Sequence, residues 1–113
     1  MEALEVSRDR GVAVVTPTMK RLDAAAAPAF KQAVVELVQA GERRLVLDLH
    51  KVGFLDSSGL GALVSILKAA GSQGAIAVCN AEGAVLSLFK LTRMDKVFPI
   101  LASREEAVGR LAA

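Results

Sequence analysis

The segment RLVLDLH, Arg44 to His50, constrains this chain more than any other. A strand with one wet face alternates apolar and polar residues; a strand buried on both faces does not. Leu45, Val46, Leu47 and Leu49 make a near-continuous apolar run, so the segment reads as the central strand of a sheet covered on both sides. Such cover comes from helices, and helical patterns flank it. Phe30, Ala33, Val34, Leu37 and Val38 recur at i, i+3, i+4, i+7 and i+8, a one-sided apolar stripe. That helix is expected to start at Pro28, since proline suits the first helical position, and to end at Gly41 in left-handed conformation. Asp23 is placed to cap a short turn before it.

Downstream, Leu60, Leu63, Val64 and Leu67 mark a second helix closed by Gly71, and Val85, Leu88 and Phe89 mark a third. Ser103 and Glu106 stand in capping-box spacing and open a fourth. AIAVCN reads as a strand, and so does VFPIL, whose Pro99 points to a sheet edge. At the start, ALEVS and VAVVTP are strand signals joined by the turn RDRG, a hairpin. The order β-β-α-β-α-β-α-β-α describes an α/β fold. It predicts a mixed, mostly parallel sheet of about five strands, with an antiparallel N-terminal edge strand, right-handed crossovers and about four helices.

At 113 residues the chain suits one domain, 1–113. Its 53% hydrophobic and 23% charged content is that of a globular protein, large enough to hold together without a metal or disulfide. The single cysteine, Cys79, fits a reducing compartment. Apolar stretches stop well short of the ~18 residues a membrane span needs, and no secretory leader is expected. A cytoplasmic protein is the expectation. The 14 basic and 12 acidic residues are interspersed, and the aromatics are four Phe. Neither a basic stripe nor a stacking platform is evident, which argues against nucleic acid as a partner.

Parallel strands gather their β-to-α loops at one edge of the sheet, where sites form. Three loops should meet there: Lys20 to Ala27, Gly53 to Gly59, and Asn80 to Gly83. Asp23, Asp56, Ser57, Ser58 and Asn80 are expected to be neighbours. The adjacent serines of FLDSSGLG admit three readings. As nucleophiles they lack a base and the G-x-S-x-G elbow, since Leu55 and Asp56 occupy the positions two before each serine. As structure, Asp56 or Ser57 caps the second helix, and Gly59 and Gly61 permit close packing. As a phosphate acceptor, Ser57 would set a dianion beside the free N–H groups and positive end of a helix.

The residues also carry a resemblance. FLDSSGLGALVSILKAAGSQG resembles the signature of the STAS domain family, the anti-sigma factor antagonists and sulphate-transporter tails. RLDAAAAPAF resembles the family's Gly-x-Leu-Asp segment, and RLVLDLHKVGFLDSSGLG its central strand and phospho-loop. LFKLTRMDKVFPI resembles the late helix and last strand, and SREEAV the terminal helix. The match spans essentially the whole chain, and the free-standing length points to the antagonists.

The resemblance implies a partner switch. The unmodified antagonist binds an anti-sigma factor that is also a serine kinase of the histidine-kinase-like ATPase fold, which frees the sigma factor. Phosphorylation of the first serine, here Ser57, ends the complex, and a PP2C-type phosphatase resets it. It marks Asp23, Asp56, Ser57, Ser58, Gly59, Leu60 and Asn80 as the partner-facing set. It further implies a binding protein rather than an enzyme, without metal or cofactor, as a monomer or weak dimer. The alternative is a STAS module of another assembly: a stress-signalling scaffold, a lipid-transport accessory or a small-ligand sensor.

One position departs from the pattern: Lys20 stands where the family has Gly. If that Gly needs positive φ, Lys20 is strained; otherwise the loop is reshaped, and Lys20 and Arg21 suit an acidic partner surface or a nearby phosphate. Cys79 reads as a packed strand residue. His50, the only histidine, reads as a surface residue at a strand end, without a partner. Asn80 reads as a turn residue.

Overall fold

The computed structural model describes residues 4–112; Ala3, which the pattern includes in the first strand, lies outside them. The chain begins as a hairpin. Strands β1 (Leu4–Asp9) and β2 (Val12–Pro17) pair antiparallel, with Asp9 opposite Val12. Arg10 and Gly11 form the two-residue turn, both at positive φ, 53° and 79°. Positive φ at both positions marks the type I′ turn, whose twist matches that of the flanking strands.

Beyond β2 the sheet grows in parallel. β4 (Arg44–Asp48) pairs with β2, β6 (Ala75–Cys79) with β4, and β7 (Ile100–Leu101) with β6. The order is β1-β2-β4-β6-β7, with β4 at the centre and β7 at an edge, as the apolar run and Pro99 predict. The last strand is shorter than VFPIL. Val97 and Phe98 instead follow a 3-10 turn, Met94–Lys96, and Phe98 is fully buried, edge-on to Phe89 with ring centroids 6.3 Å apart.

Four helices cover the sheet: α1 (Ala27–Gln39), α2 (Ser57–Ala70), α3 (Gly83–Leu91) and α4 (Arg104–Leu111). α1 starts one residue before Pro28, which sits in its first turn. Its end is a Schellman motif: Gly41, at φ 112°, donates to the Val38 carbonyl, and Glu42 to that of Leu37. Ser103 caps α4 by accepting the Glu106 N–H at 3.1 Å.

Strand parity sorts the core. Ala13, Val15, Leu45, Leu47, Ile76 and Val78 face one side, against Phe30 and Val34 of α1, Leu63 and Ile66 of α2, and Val85 and Phe89 of α3. Val12, Val14, Val46, Ala77 and Cys79 face the other side, where Ala107 and Val108 of α4 cover them. Three helices thus share one face and α4 alone covers the other, which explains why β4 shows no alternation. Two short elements fall outside the sequence reading. β3 (Arg21–Leu22) and β5 (Phe54–Leu55) pair in parallel as a separate ribbon. Two residues each are too few to carry a period-2 signal.

Candidate functional site

The β3–β5 ribbon joins the first two loops. The Lys20 carbonyl accepts from Gly53 N–H at 2.8 Å and Phe54 N–H at 3.1 Å, Arg21 pairs with Phe54, and Leu22 with Leu55. The Arg21 guanidinium lies 3.9 Å from the centre of the Phe54 ring, a cation–π contact across the ribbon. Arg21 Nε is also 3.5 Å from Asp23 Oδ2. Asp23 holds the turn into α1: its Oδ1 accepts from Ala25 and Ala26 at 3.1 and 3.2 Å, and its carbonyl from Ala27 at 2.8 Å.

Lys20 is not among the non-glycine residues with positive φ, which are Arg10, Asn80 and Arg93. The strained-loop reading is therefore corrected. Lys20 sits in a conformation open to any side chain, and its backbone oxygen is the anchor of the ribbon.

At the other end of the ribbon, Asp56 is the N-cap of α2, and its Oδ1 accepts the Gly59 N–H at 3.0 Å. Ser57 and Ser58 follow as the first two residues of the helix, both exposed. Gly59 and Leu60 are buried. Gly59 lies against the backbone of Leu22, and Leu60 turns into the core. Of the partner-facing set, these two shape the loop from beneath, while Ser57 and Ser58 form its surface. Ser58 also lines a shallow groove with Ala24, Pro28 and Lys31 of the α1 entry.

The third loop joins a different group. Asn80, in left-handed conformation at φ 59°, donates from Nδ2 to Asp48 Oδ1 at 2.9 Å. Asp48, 2% exposed at the end of β4, also binds His50 and Arg104. His50 Nδ1 is 3.0 Å away, the His50 N–H donates at 3.1 Å, and Arg104 Nε and Nη2 donate at 3.2 and 3.1 Å. Burial alone would raise the Asp48 carboxyl; the hydrogen bonds from Asn80, His50 and Arg104 outweigh it and hold the group below its ordinary value. His50 is thus corrected: exposed, but partnered. Behind this cluster the buried Cys79 thiol is pushed up to about 12, by burial first and then by the Asp48 charge, which leaves it inert.

Sequence reasoning missed the Asp48 cluster. A signal was present, since a carboxylate inside an apolar run needs buried partners. Nothing in the spacing names Arg104, 56 residues away. Among the described residues no group of His, Cys, Asp and Glu could hold a metal, and no helix is long and apolar enough to cross a membrane.

Comparison with known proteins agrees with this fold. A family model, the STAS domain, matches residues 3–107. The chain is 28% identical over 110 residues to the anti-sigma F factor antagonist of Paenibacillus polymyxa, covering 96% of this chain and 93% of that one. It is 33% identical over 73 residues to BtrV of Bordetella bronchiseptica. That match takes in 64% of this chain and 63%, just under two thirds, of BtrV. Among solved structures, an anti-sigma factor antagonist from Mycobacterium paratuberculosis superposes with a TM-score of 0.89 at 30% identity, covering 97% of this chain and 93% of that one. SpoIIAA, solved in unphosphorylated and phosphorylated forms, shares the fold at a TM-score of 0.71 and 19% identity over 96% of this chain; it covers 96% and 98% of the two SpoIIAA chains. With a family model matching nearly its whole length and a fold to agree, this chain belongs to the STAS domain family.

Proposed function

We propose that the protein is an anti-sigma factor antagonist that works by partner switching. In its unmodified form it binds an anti-sigma factor that is also a serine kinase of the histidine-kinase-like ATPase fold, and so releases a sigma factor. Phosphorylation at Ser57 ends the complex, and a PP2C-type phosphatase restores it. The protein is the acceptor in this cycle and carries no catalysis of its own.

One observation carries this reading. Ser57 is exposed at the first position of α2, on a loop held from both sides by the Asp56 cap and by Gly59 packed on Leu22. A hydroxyl presented in this way is accessible to a kinase, and its phosphate would stand at the positive end of a helix. The names of the relatives point the same way, as anti-sigma factor antagonists, one of them solved with and without phosphate.

The test is a pull-down from the native host with the unmodified protein, followed by incubation with the captured kinase and ATP. One phosphate should appear, mapped to Ser57 by mass spectrometry, and Ser57→Ala should stay unmodified while still binding. Efficient modification of Ser57→Ala at Ser58 would move the acceptor, and absence of an anti-sigma factor from the captured proteins would refute the reading.

A further inference from the structure

Arg21 stands directly opposite Phe54 in the ribbon, and the strand of Phe54 runs straight on through Asp56 into Ser57. Its side chain is 63% exposed, yet two contacts aim it. The guanidinium lies 3.9 Å from the centre of the Phe54 ring, which sets its plane over the ribbon. Nε lies 3.5 Å from Asp23 Oδ2, which leans the side chain toward the carboxyl end of β3. The ribbon is parallel, so this is also the end at which β5 leads into α2. The Asp23 contact is longer than an ordinary N–H···O bond, and the terminal Nη groups of Arg21 make no hydrogen bond among the described residues.

Ser57 is within reach of this guanidinium. The neighbouring Leu22 carbonyl is the surface on which Gly59 is packed, 2.2 Å from where a Cβ would stand. Ser57 and Gly59 share the first turn of α2, which puts the Arg21 and Ser57 Cα atoms on the order of 10 Å apart. An arginine extends about 7 Å from its Cα and a phosphoserine about 5 Å. Both residues are exposed, while Leu22 and Leu55 occupy the inner side of the ribbon. A planar guanidinium matches phosphate with paired N–H···O bonds, and a phosphate dianion competes well against a single carboxylate held at long distance.

Taking Ser57 as the acceptor, we propose that Arg21 is the phosphate-binding residue of this loop. Once Ser57 is phosphorylated, the guanidinium leaves Asp23 and pairs with the phosphate. Asp23 keeps the α1 turn through Oδ1, which accepts from Ala25 and Ala26, but its Oδ2 loses its cation. A mark on one loop thereby changes the charge that the neighbouring loop shows to a partner, with the fold unmoved.

The test uses the full chain with phosphoserine encoded at position 57. No kinase is involved, so failure here is distinct from failure of the Ser57 reading, which the pull-down decides. Phosphorus NMR follows the second phosphate ionisation, ordinarily near about pH 6. Arg21→Gln should raise its midpoint by about half a unit, a roughly threefold change in proton affinity. Arg21→Lys keeps the charge but not the fork and should raise it by less. Asp23 and Asp56, the carboxylates of the two loops, are present in every variant. The Arg21 Nε–H resonance should shift between the unmodified and phosphorylated chains. Lys31→Gln, at the groove beside Ser58, should leave the midpoint in place. Equal midpoints in the wild type and Arg21→Gln, an Nε–H resonance that does not move, or the same rise from Lys31→Gln would each overturn the proposal.

Discussion

A Cβ on Gly59 would stand 2.2 Å from the Leu22 carbonyl oxygen and 2.6 Å from Leu55 Cδ1. The start of α2 is pressed onto the β3–β5 ribbon with no room for a methyl group. This contact ties the Ser57 loop to the Asp23 loop. The obstacle is backbone, which yields less readily than the end of a flexible side chain. Gly59→Ala should therefore destabilise the fold by about 2 kcal/mol, a fall of roughly 10 °C in melting temperature, in spite of alanine's better helix propensity. Gly61, two residues on, meets nothing within 4 Å. Gly61→Ala should stabilise the fold by about 0.5–1 kcal/mol. Thermal melts of the two variants should move in opposite directions.

Lys20 anchors the ribbon through its carbonyl without positive φ. Glycine there adds freedom to the unfolded chain and relieves no strain. Lys20→Gly should lower stability by up to about 1 kcal/mol. A melting temperature above that of the wild type would contradict the backbone conformation described.

Phosphate on Ser57 should act locally. The residue is exposed, the helix start favours negative charge, and the core side chains of α2, such as Leu63 and Ile66, lie on the opposite side. The phosphorylated protein should keep its circular dichroism and melt within a few degrees of the unmodified form. Ser57→Asp should weaken partner binding at least about tenfold, or ~1.4 kcal/mol. Amide shifts spread across the sheet and α4, rather than confined to the loops at Asp23 and Asp56, would show a conformational switch instead.

Asp48 makes stability sensitive to acid. Its native carboxyl titrates below the ordinary value of 3.8, so the unfolded chain takes up the proton first as pH falls. The contribution is full above pH 3.8 and drains as pH falls through the native value. Asp48→Asn should cost about 1–3 kcal/mol at neutral pH, and its denaturation midpoints should depend less on pH below 3.8 than those of the wild type.

Cys79 acts at the other end of the scale. The unfolded thiol ionises near 9.0 and the native one near 12, so above pH 9.0 the unfolded chain gives up a proton that the native state keeps. Stability should fall by about 1.4 kcal/mol per pH unit from this residue within that window. Cys79→Ala is less stable at neutral pH, and its deficit against wild type should narrow as pH rises beyond 9.0. A constant gap in chemical denaturation from about pH 8 to about pH 11 would contradict the burial of the thiol.

The sequence by itself determined the central strand, the four helix stripes, the hairpin turn and the exposed serines at a helix start. Each is written in a run of neighbouring residues: a near-continuous apolar run at Arg44 to His50, a 3.6-residue period from Phe30 to Val38, a capping signal at Asp56 or Ser57. Tertiary structure decided what depends on residues far apart in the chain. Arg21 meets Phe54 through strands of two residues, too short for any period. Asp48 is made tolerable inside an apolar run by Asn80 and Arg104, 32 and 56 residues away. α4 crosses to the face that α3 does not use. The crossing follows from where uncovered apolar surface remained once three helices had packed, a property of the assembled sheet and of no single segment.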